Sequence, residues 1–356
     1  MAKYDTLPQP KGHQAPSLET ITEKIRRNKS IKWYRCKLPK ELHKELHQRS
    51  DWLGAAQTLG YLGLIVATGA LTLVSAAFWP LYATLGLLFL HGTCTAFMIN
   101  AVHELGHGTV FKTRKLNQIF VHVFAFIGWI NHEVFGESHA RHHRYTLHPP
   151  DDLEVVLPVK LMVKDFFLTG LIDSKSWWGS MMFHVRLARR RFKGEWEATL
   201  YPEGESAEKR ARAIRWSRLI LAGHGTIFVV SMALGWWMVP VVVSLNTFHS
   251  KWLLWLTNNT QHIGLQDHVS DFRMCCRTFT VNPVVQFLYW HMNYHIEHHM
   301  YAAVPCYKLG RLHRAIRADL PHCPDGIVET WREIFSILRK QENDPTYQHV
   351  VECPAK

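Results

Sequence analysis

From Leu53 to Pro80 no side chain carries a formal charge, and the segment LGYLGLIVATGALTLVSAAFW is long enough to cross a bilayer, which takes about 20 apolar residues. Nothing else in the chain restricts its fold as much. In hydrocarbon every backbone N–H and C=O must be paired inside the protein, so such a segment has to be a helix. A second uncharged run, LYATLGLLFLHGTCTAFMINAV, follows Pro80 at once and stops at His103. Two spans with so short a connection predict a membrane hairpin. The soluble alternative is a pair of core helices. Bilayer length in both runs and tryptophans near their ends favour the membrane.

A second hairpin follows the same plan. LILAGHGTIFVVSMALGWWM (219–238) is uncharged, Pro240 punctuates it, and VVVSLNTFHSKWLLWL returns. The expected spans are therefore 53–78, 81–102, 219–238 and 240–257. Lys251 inside the last one predicts either snorkelling to the interface or a polar cavity. IFVHVFAFIGWI (119–130) is too short to span and is expected to be re-entrant or buried. VRLARRRFKGEW (185–196) has the composition of a basic interfacial helix beside anionic headgroups. Ser17 in SLETITEKIRR predicts a capped helix start. The fold class is all-α: four transmembrane helices in two hairpins, with a cytoplasmic helical cap.

Charge placement orients these spans. The chain holds 41 Lys and Arg against 29 Asp and Glu, yet none of the 41 lies in 52–102 or 219–250. Basic residues mark cytoplasmic loops, which puts both termini and the segment between the hairpins in the cytoplasm. The net charge of +12 is then a membrane-surface feature, and no nucleic-acid-binding motif competes for it. The expected organisation is a basic N-terminal region (1–50), a membrane domain (51–315) whose cap comprises 103–218 and 258–315, and a cytoplasmic tail (316–356). Seven cysteines without a CxxC pair suit reduced thiols, not a disulfide framework.

The 24 histidines are not scattered. HELGH contains His103 and His107, HARHH contains His139, His142 and His143, and HIEHH contains His295, His298 and His299. On a helix, positions three and four apart share a face, so each cluster aims its imidazoles at one point. HELGH begins where the second span ends, and the other two clusters lie in segments assigned to the same side. His262 in NNTQH, at the end of the fourth span, arrives at that side too, and Asn258 sits one helical turn before it. Nine imidazoles exceed what one ion can use and suit two. Imidazole binds Fe, Zn, Cu and Ni. Iron activates oxygen whereas zinc has no redox chemistry, so a diiron centre oxidising an unactivated C–H bond near lipid is the expectation. HELGH also matches the HExxH zinc-protease motif, with His103 and His107 as ligands and Glu104 as general base. That reading leaves HARHH, HIEHH and NNTQH without a task.

The order HxxxH, HxxHH, HxxHH with hydrophobic hairpins between resembles the membrane fatty acid desaturase superfamily over roughly residues 50–315. HELGHGTVFKTRKLN and NPVVQFLYWHMNYHIEHHM are similar to a bacterial branch that includes lipid desaturases, hydroxylases and oxygenases. The resemblance implies an integral protein of the bacterial inner membrane with two non-haem irons, O2 as co-substrate and two external electrons per turnover. It implies His103, His107, His139, His142, His143, His262, His295, His298 and His299 as ligands, and Asn258 acting through a water. The expected reaction is desaturation of a fatty acyl or lipid substrate, with hydroxylation or monooxygenation of a hydrocarbon or smaller molecule as the alternative. No fused cytochrome b5 motif is present, so a separate ferredoxin or cytochrome b5-like donor with its reductase is expected. His291 and His148 lie beside the boxes and could substitute for, or support, a ligand, while His132 and His268 suit polar surface or supporting positions. Glu137, Asp151, Asp152, Asp267 and Glu297 are candidates for orienting ligand imidazoles.

Overall fold

The computed structural model describes residues 31–354 apart from 160, 162 and 205, so the helix expected after Ser17 lies outside the described residues. The architecture is all-α as expected. Among the described residues the extended pairing is limited to isolated β-bridges.

The first hairpin pairs α1 (Asp51–Phe78) with α2 (Leu81–Thr95), and α2 continues after a two-residue break into α3 (Met98–Gly106). Ser50 opens α1 by accepting from the Leu53 amide (3.3 Å), the usual N-cap arrangement. The face of α1 toward α2 is small and polar: Thr58, Thr68, Gly69, Thr72 and Ser75 are buried. Thr68 Oγ1 meets His91 Nδ1 at 2.9 Å, Ser75 meets Thr84 at 3.0 Å, and Tyr61 OH donates to Cys94 O at 2.8 Å. Small residues and interhelical hydrogen bonds are how helices adhere in lipid, where apolar burial gives no drive. The outward faces are the reverse. Phe78, Leu81 and Tyr82 are 81%, 73% and 78% exposed, a surface that suits acyl chains rather than water.

Next come α4 (Arg114–Ile127) and α5 (His132–Tyr145), which meet at 111°. The expected re-entrant segment 119–130 is thus the end of α4 and the bend. α6 (Ser174–Ala188) starts at Asp173, whose carboxylate accepts from the Ser176 amide (3.0 Å). It stops before the basic run. Arg189–Lys193 is the break ahead of a short helix, Gly194–Leu200, and Arg190 has φ +61°. The continuous interfacial helix expected over 185–196 does not form.

The second hairpin departs further from expectation. Its first span is α7 (Ala207–Ala233), which begins well before residue 219 and ends before the left-handed Gly235. The helix expected over 240–257 is broken into α8 (Met238–Ser244), a 3-10 turn (Asn246–Phe248) and α9 (Trp252–Asn258). Among the described residues three helices, Asp51–Phe78, Leu81–Gly106 and Ala207–Ala233, are long and apolar enough to cross a membrane, and the bent α4–α5 pair makes a fourth if it is one span. The break is tolerated because neighbours satisfy its backbone. Thr95 Oγ1 donates to Asn246 O (2.9 Å), the Asp173 amide to Phe248 O (2.7 Å) and the Ser250 amide to Leu171 O (2.7 Å). Lys251 is half-buried, lines a cavity and pairs with Asp173 (3.2 Å), so the polar cavity, not snorkelling, accounts for it.

α10 (His295–Met300) is wholly buried. α11 (Gly326–Asn343) lies in the expected tail, yet it is docked. Trp331 stacks on Trp255 (5.1 Å, 10°) and donates to Leu256 O (2.8 Å), and Ile337 packs against Gly264, where φ is +77° and an added Cβ would lie 2.5 Å from it.

Candidate metal centre

Three helices and one turn deliver imidazoles to a common place. α3 carries His103 in its last turn, and His107 caps it. α5 carries His139, His142 and His143, with Asn131 accepting from the Val134 amide (3.2 Å) to start it in register. α10 carries His295, His298 and His299. His262 follows α9 in the turn region before Leu265.

All nine fall into two groups. His103, His107, His139, His143 and His298 form one, and His142, His262, His295 and His299 the other, with the ligand-bearing atoms of each group within 4.8 Å of one another. The groups adjoin: His143 stacks on His299 across them at 4.3 Å and 22°.

Five of the outer nitrogens are held by acceptors. His103 Nδ1 donates to Glu104 Oε1 (3.0 Å), His139 Nδ1 to Glu154 Oε1 (2.9 Å), His142 Nδ1 to Asp152 Oδ2 (2.8 Å) and His262 Nδ1 to Cys275 O (2.7 Å). His299 Nδ1 lies 3.2 Å from Thr146 Oγ1. That hydroxyl spends its hydrogen on His142 O (2.7 Å), so its oxygen accepts from His299. Each such bond fixes the tautomer and leaves a bare Nε2 lone pair facing inward.

These inner nitrogens crowd together. His262 and His295 Nε2 are 3.0 Å apart, His295 and His299 3.1 Å, His139 and His143 2.9 Å, and His143 and His298 3.1 Å. In the second group His295 can place at most one proton among the bare nitrogens of His262 and His299. Lone pairs so close repel unless a cation lies between them. Metal–imidazole bonds of about 2.1 Å at right angles separate neighbouring nitrogens by about 3.0 Å, the spacing seen. The residues therefore fit a pair of metal ions.

Burial sets the protonation. It pushes His262 down to about 3, and His295, His298 and His299 well below the ordinary imidazole value, so these rings are neutral at physiological pH and free to bind metal. Burial alone would raise Asp152, but His142 and the amides of Leu147 and Glu154 outweigh it and hold the carboxyl below its usual value. Burial raises Glu154 despite the Ser138 hydroxyl on its other oxygen.

The remaining sequence candidates sort by contact. Asn258 is exposed and accepts from Asn100 Nδ2 (3.3 Å), outside the histidine contacts. His291 bonds Gln286 and His148 bonds backbone carbonyls, so neither joins a group. His132 packs on His122 and Trp216. Of the five acids proposed to orient imidazoles, only Asp152 touches a grouped histidine. Glu297 holds His313 (2.5 Å) and Thr278 (2.6 Å), Glu137 pairs with Lys209, Asp151 with Arg141, and Asp267 with His268. Sequence reasoning missed Glu154 and the orienting part of Glu104. Glu154 stood in the acidic run DDLE just after the second cluster, and nothing in the run marked it out. Glu104 is fully buried, and its Oε1 lies 3.3 Å from His298 Nδ1 as well, a position among imidazoles that does not suit a protease base facing a water.

A cavity of about 1630 Å³ reaches this place. Ile99, Phe135, Ser138 and Glu154 line it beside the five-histidine group, where Phe135 stacks on His139 (5.3 Å, 5°). The exposed Arg189, Arg190 and Arg191 line its margin.

Comparison with known proteins adds two findings. A family model described as fatty acid desaturase matches residues 74–331. No curated protein matches the chain.

Proposed function

We propose, from the premise that the chain belongs to the fatty acid desaturase family, that it desaturates a lipid acyl chain with O2 and two electrons from a separate redox protein. The observation that carries this reading is the pair of adjoining groups built from nine histidines. Iron is the proposed metal because the family's chemistry is oxidative and zinc has no redox chemistry. Two iron ions, when bound, supply O2 activation and the removal of hydrogen from an unactivated C–H bond.

The chain's own residues do the rest. His103, His107, His139, His143 and His298 would hold one ion, and His142, His262, His295 and His299 the other. Asn258 is proposed to act through a water. Glu104, Glu154, Asp152 and the Cys275 carbonyl hold the ligand rings in place and make them better donors. The apolar cavity wall at Ile99, Phe135 and Leu254 would bind the acyl chain, and burial keeps bulk water from the reacting carbon. The arginines at the cavity margin suit an anionic headgroup. The absence of Lys and Arg from 52–102 and 219–250 supports a cytoplasmic site with cytoplasmic termini, and a bacterial inner membrane is the proposed setting.

The test is mass spectrometry of products after purified protein in lipid is given a reductant chain, O2 and candidate acyl lipids. Loss of two hydrogens from the lipid is the expected result. Gain of one oxygen would replace desaturation by hydroxylation, and unchanged lipid from an iron-loaded sample would overturn the reading.

A further inference from the structure

Aromatic rings lead from the four-histidine group to the surface. Phe272 is 1% exposed and its ring lies 5.4 Å from that of His299. Trp33 stacks on Phe272 with centroids 4.1 Å apart and planes 11° from parallel, and Trp33 is only half-buried. Inward, the stack of His299 on His143 carries the ring contacts into the five-histidine group.

Trp33 is firmly held. Its Nε1 donates to Arg144 O (3.1 Å). The next residue, Tyr34, forms a parallel bridge to Asp271, with its amide donating to Ser270 O (2.9 Å). Arg273, 2% exposed, lies over the Tyr34 ring (4.1 Å) and binds both Asp271 (2.8 Å) and Asp319 (2.9 Å). Filling space at this edge needs only an aliphatic side chain. A tryptophan clamped flat on a buried phenylalanine beside a metal ligand gives a rigid, polarisable bridge.

The surround is positive. Lys32, Arg35, Lys37 and Arg144 are exposed. The nearby acids, Asp271 and Asp319, are engaged by Arg273, and Tyr34 OH also donates to Asp319 (2.6 Å). Such a patch steers an oppositely charged partner and fixes its register. Anionic lipid would also be attracted here, but it has no use for a ring path into the histidine site.

Resting on the desaturase reading above, we propose that Trp33 and its basic surround form the docking face and electron port for a small acidic one-electron carrier protein, of the ferredoxin or cytochrome b5 kind. Each encounter oxidises one carrier and delivers one electron through Trp33 and Phe272 to the site. Two encounters supply two electrons. With two protons from water and the two hydrogens taken from the acyl chain, they reduce O2 to two waters.

The test uses the full chain in nanodiscs and a soluble plant-type [2Fe–2S] ferredoxin as probe. The zinc-loaded chain should bind ferredoxin at low salt and weaken as salt rises. Lys32→Glu, Arg35→Glu and Lys37→Glu together should raise Kd by more than an order of magnitude. With the iron-loaded chain saturated with carrier, so that binding does not limit, reoxidation of pre-reduced ferredoxin in stopped flow should slow by at least an order of magnitude in Trp33→Leu and recover in Trp33→Phe. No binding by the native chain, unaltered binding after charge reversal, or native electron transfer in Trp33→Leu would each overturn the proposal. Dithionite, which needs no docking, should reduce native and Trp33→Leu chains alike. A dithionite-reduced chain that leaves lipid unchanged in O2 would refute the desaturase reading while the docking result stood.

Discussion

Replacing Asp152 by asparagine tests how the metal centre is supported without touching a ligand. The carboxylate is fully buried. Its Oδ2 accepts from His142 Nδ1 (2.8 Å) and the Leu147 amide (2.9 Å), and its Oδ1 from the Glu154 amide (2.9 Å). Asparagine has the same shape but one accepting oxygen. With that oxygen toward His142 and Leu147, the NH2 group faces the Glu154 amide, donor against donor. The flipped amide faces two donors, so the first orientation wins. One buried N–H is then unpaired, at a cost of about 1–3 kcal/mol in stability, and His142 loses an anionic partner. Removing such support lowers metal affinity about 10–100-fold, or about 1.4–2.7 kcal/mol. A stepwise titration with a chromogenic chelator should remove the ion of the four-histidine group at correspondingly lower chelator concentration, with the five-histidine group, reached through Glu154 and His139, affected less. Asp152→Ala, which strands all three donors, should accumulate poorly. If both ions of Asp152→Asn withstand the chelator as the native pair does, the orienting role assigned to the carboxylate is wrong.

Other perturbations probe the rest of the account. His262→Ala should keep the fold, lose metal from its group and abolish turnover, whereas the exposed His268→Ala should be mild and Asn258→Ala intermediate; near-normal metal content and product in His262→Ala would remove it from the site. Gly92→Val should reduce the monodisperse peak in fluorescence-detected size exclusion, because a Cβ at Gly92 lies 2.2 Å from the His249 ring and 2.9 Å from its carbonyl, and overpacking costs about 1–3 kcal/mol; Gly86→Ala, with nothing within 4 Å, is the tolerated control. Metal-free protein should lose thermal stability as pH falls. His262 is held at about 3 against an ordinary 6.5, so between those values the unfolded chain binds more protons and acid favours it. A melting temperature flat from pH 7 to about 4 would contradict the burial assigned to these rings.

The site was more readable than the spans around it. Imidazoles three and four residues apart share a helix face whatever the tertiary structure, so HELGH, HARHH and HIEHH announced themselves. His262 was found by topology, since the end of a span must lie near the other clusters. The supporting acids obey no such local rule. Glu154 reaches His139 because the chain after α5 folds back, while Glu297, inside a histidine cluster, points away to His313. Hydropathy misjudged residues 240–257 for a related reason. Apolar composition reports a segment's surroundings and not its continuity, and the hydrogen bonds that permit the break come from Thr95, Asp173 and Leu171, far off in sequence. The docked α11 was hidden too, because its buried stripe of Trp331, Ile334 and Ile337 has a partner only once α9 presents Trp255.

Anomalous diffraction at the iron edge, on crystals of active protein grown with iron, tests the dimetal assignment most directly. Two peaks are predicted, one among His103, His107, His139, His143 and His298, the other among His142, His262, His295 and His299. A single peak, or an active crystal with zinc and no iron in these groups, would contradict it.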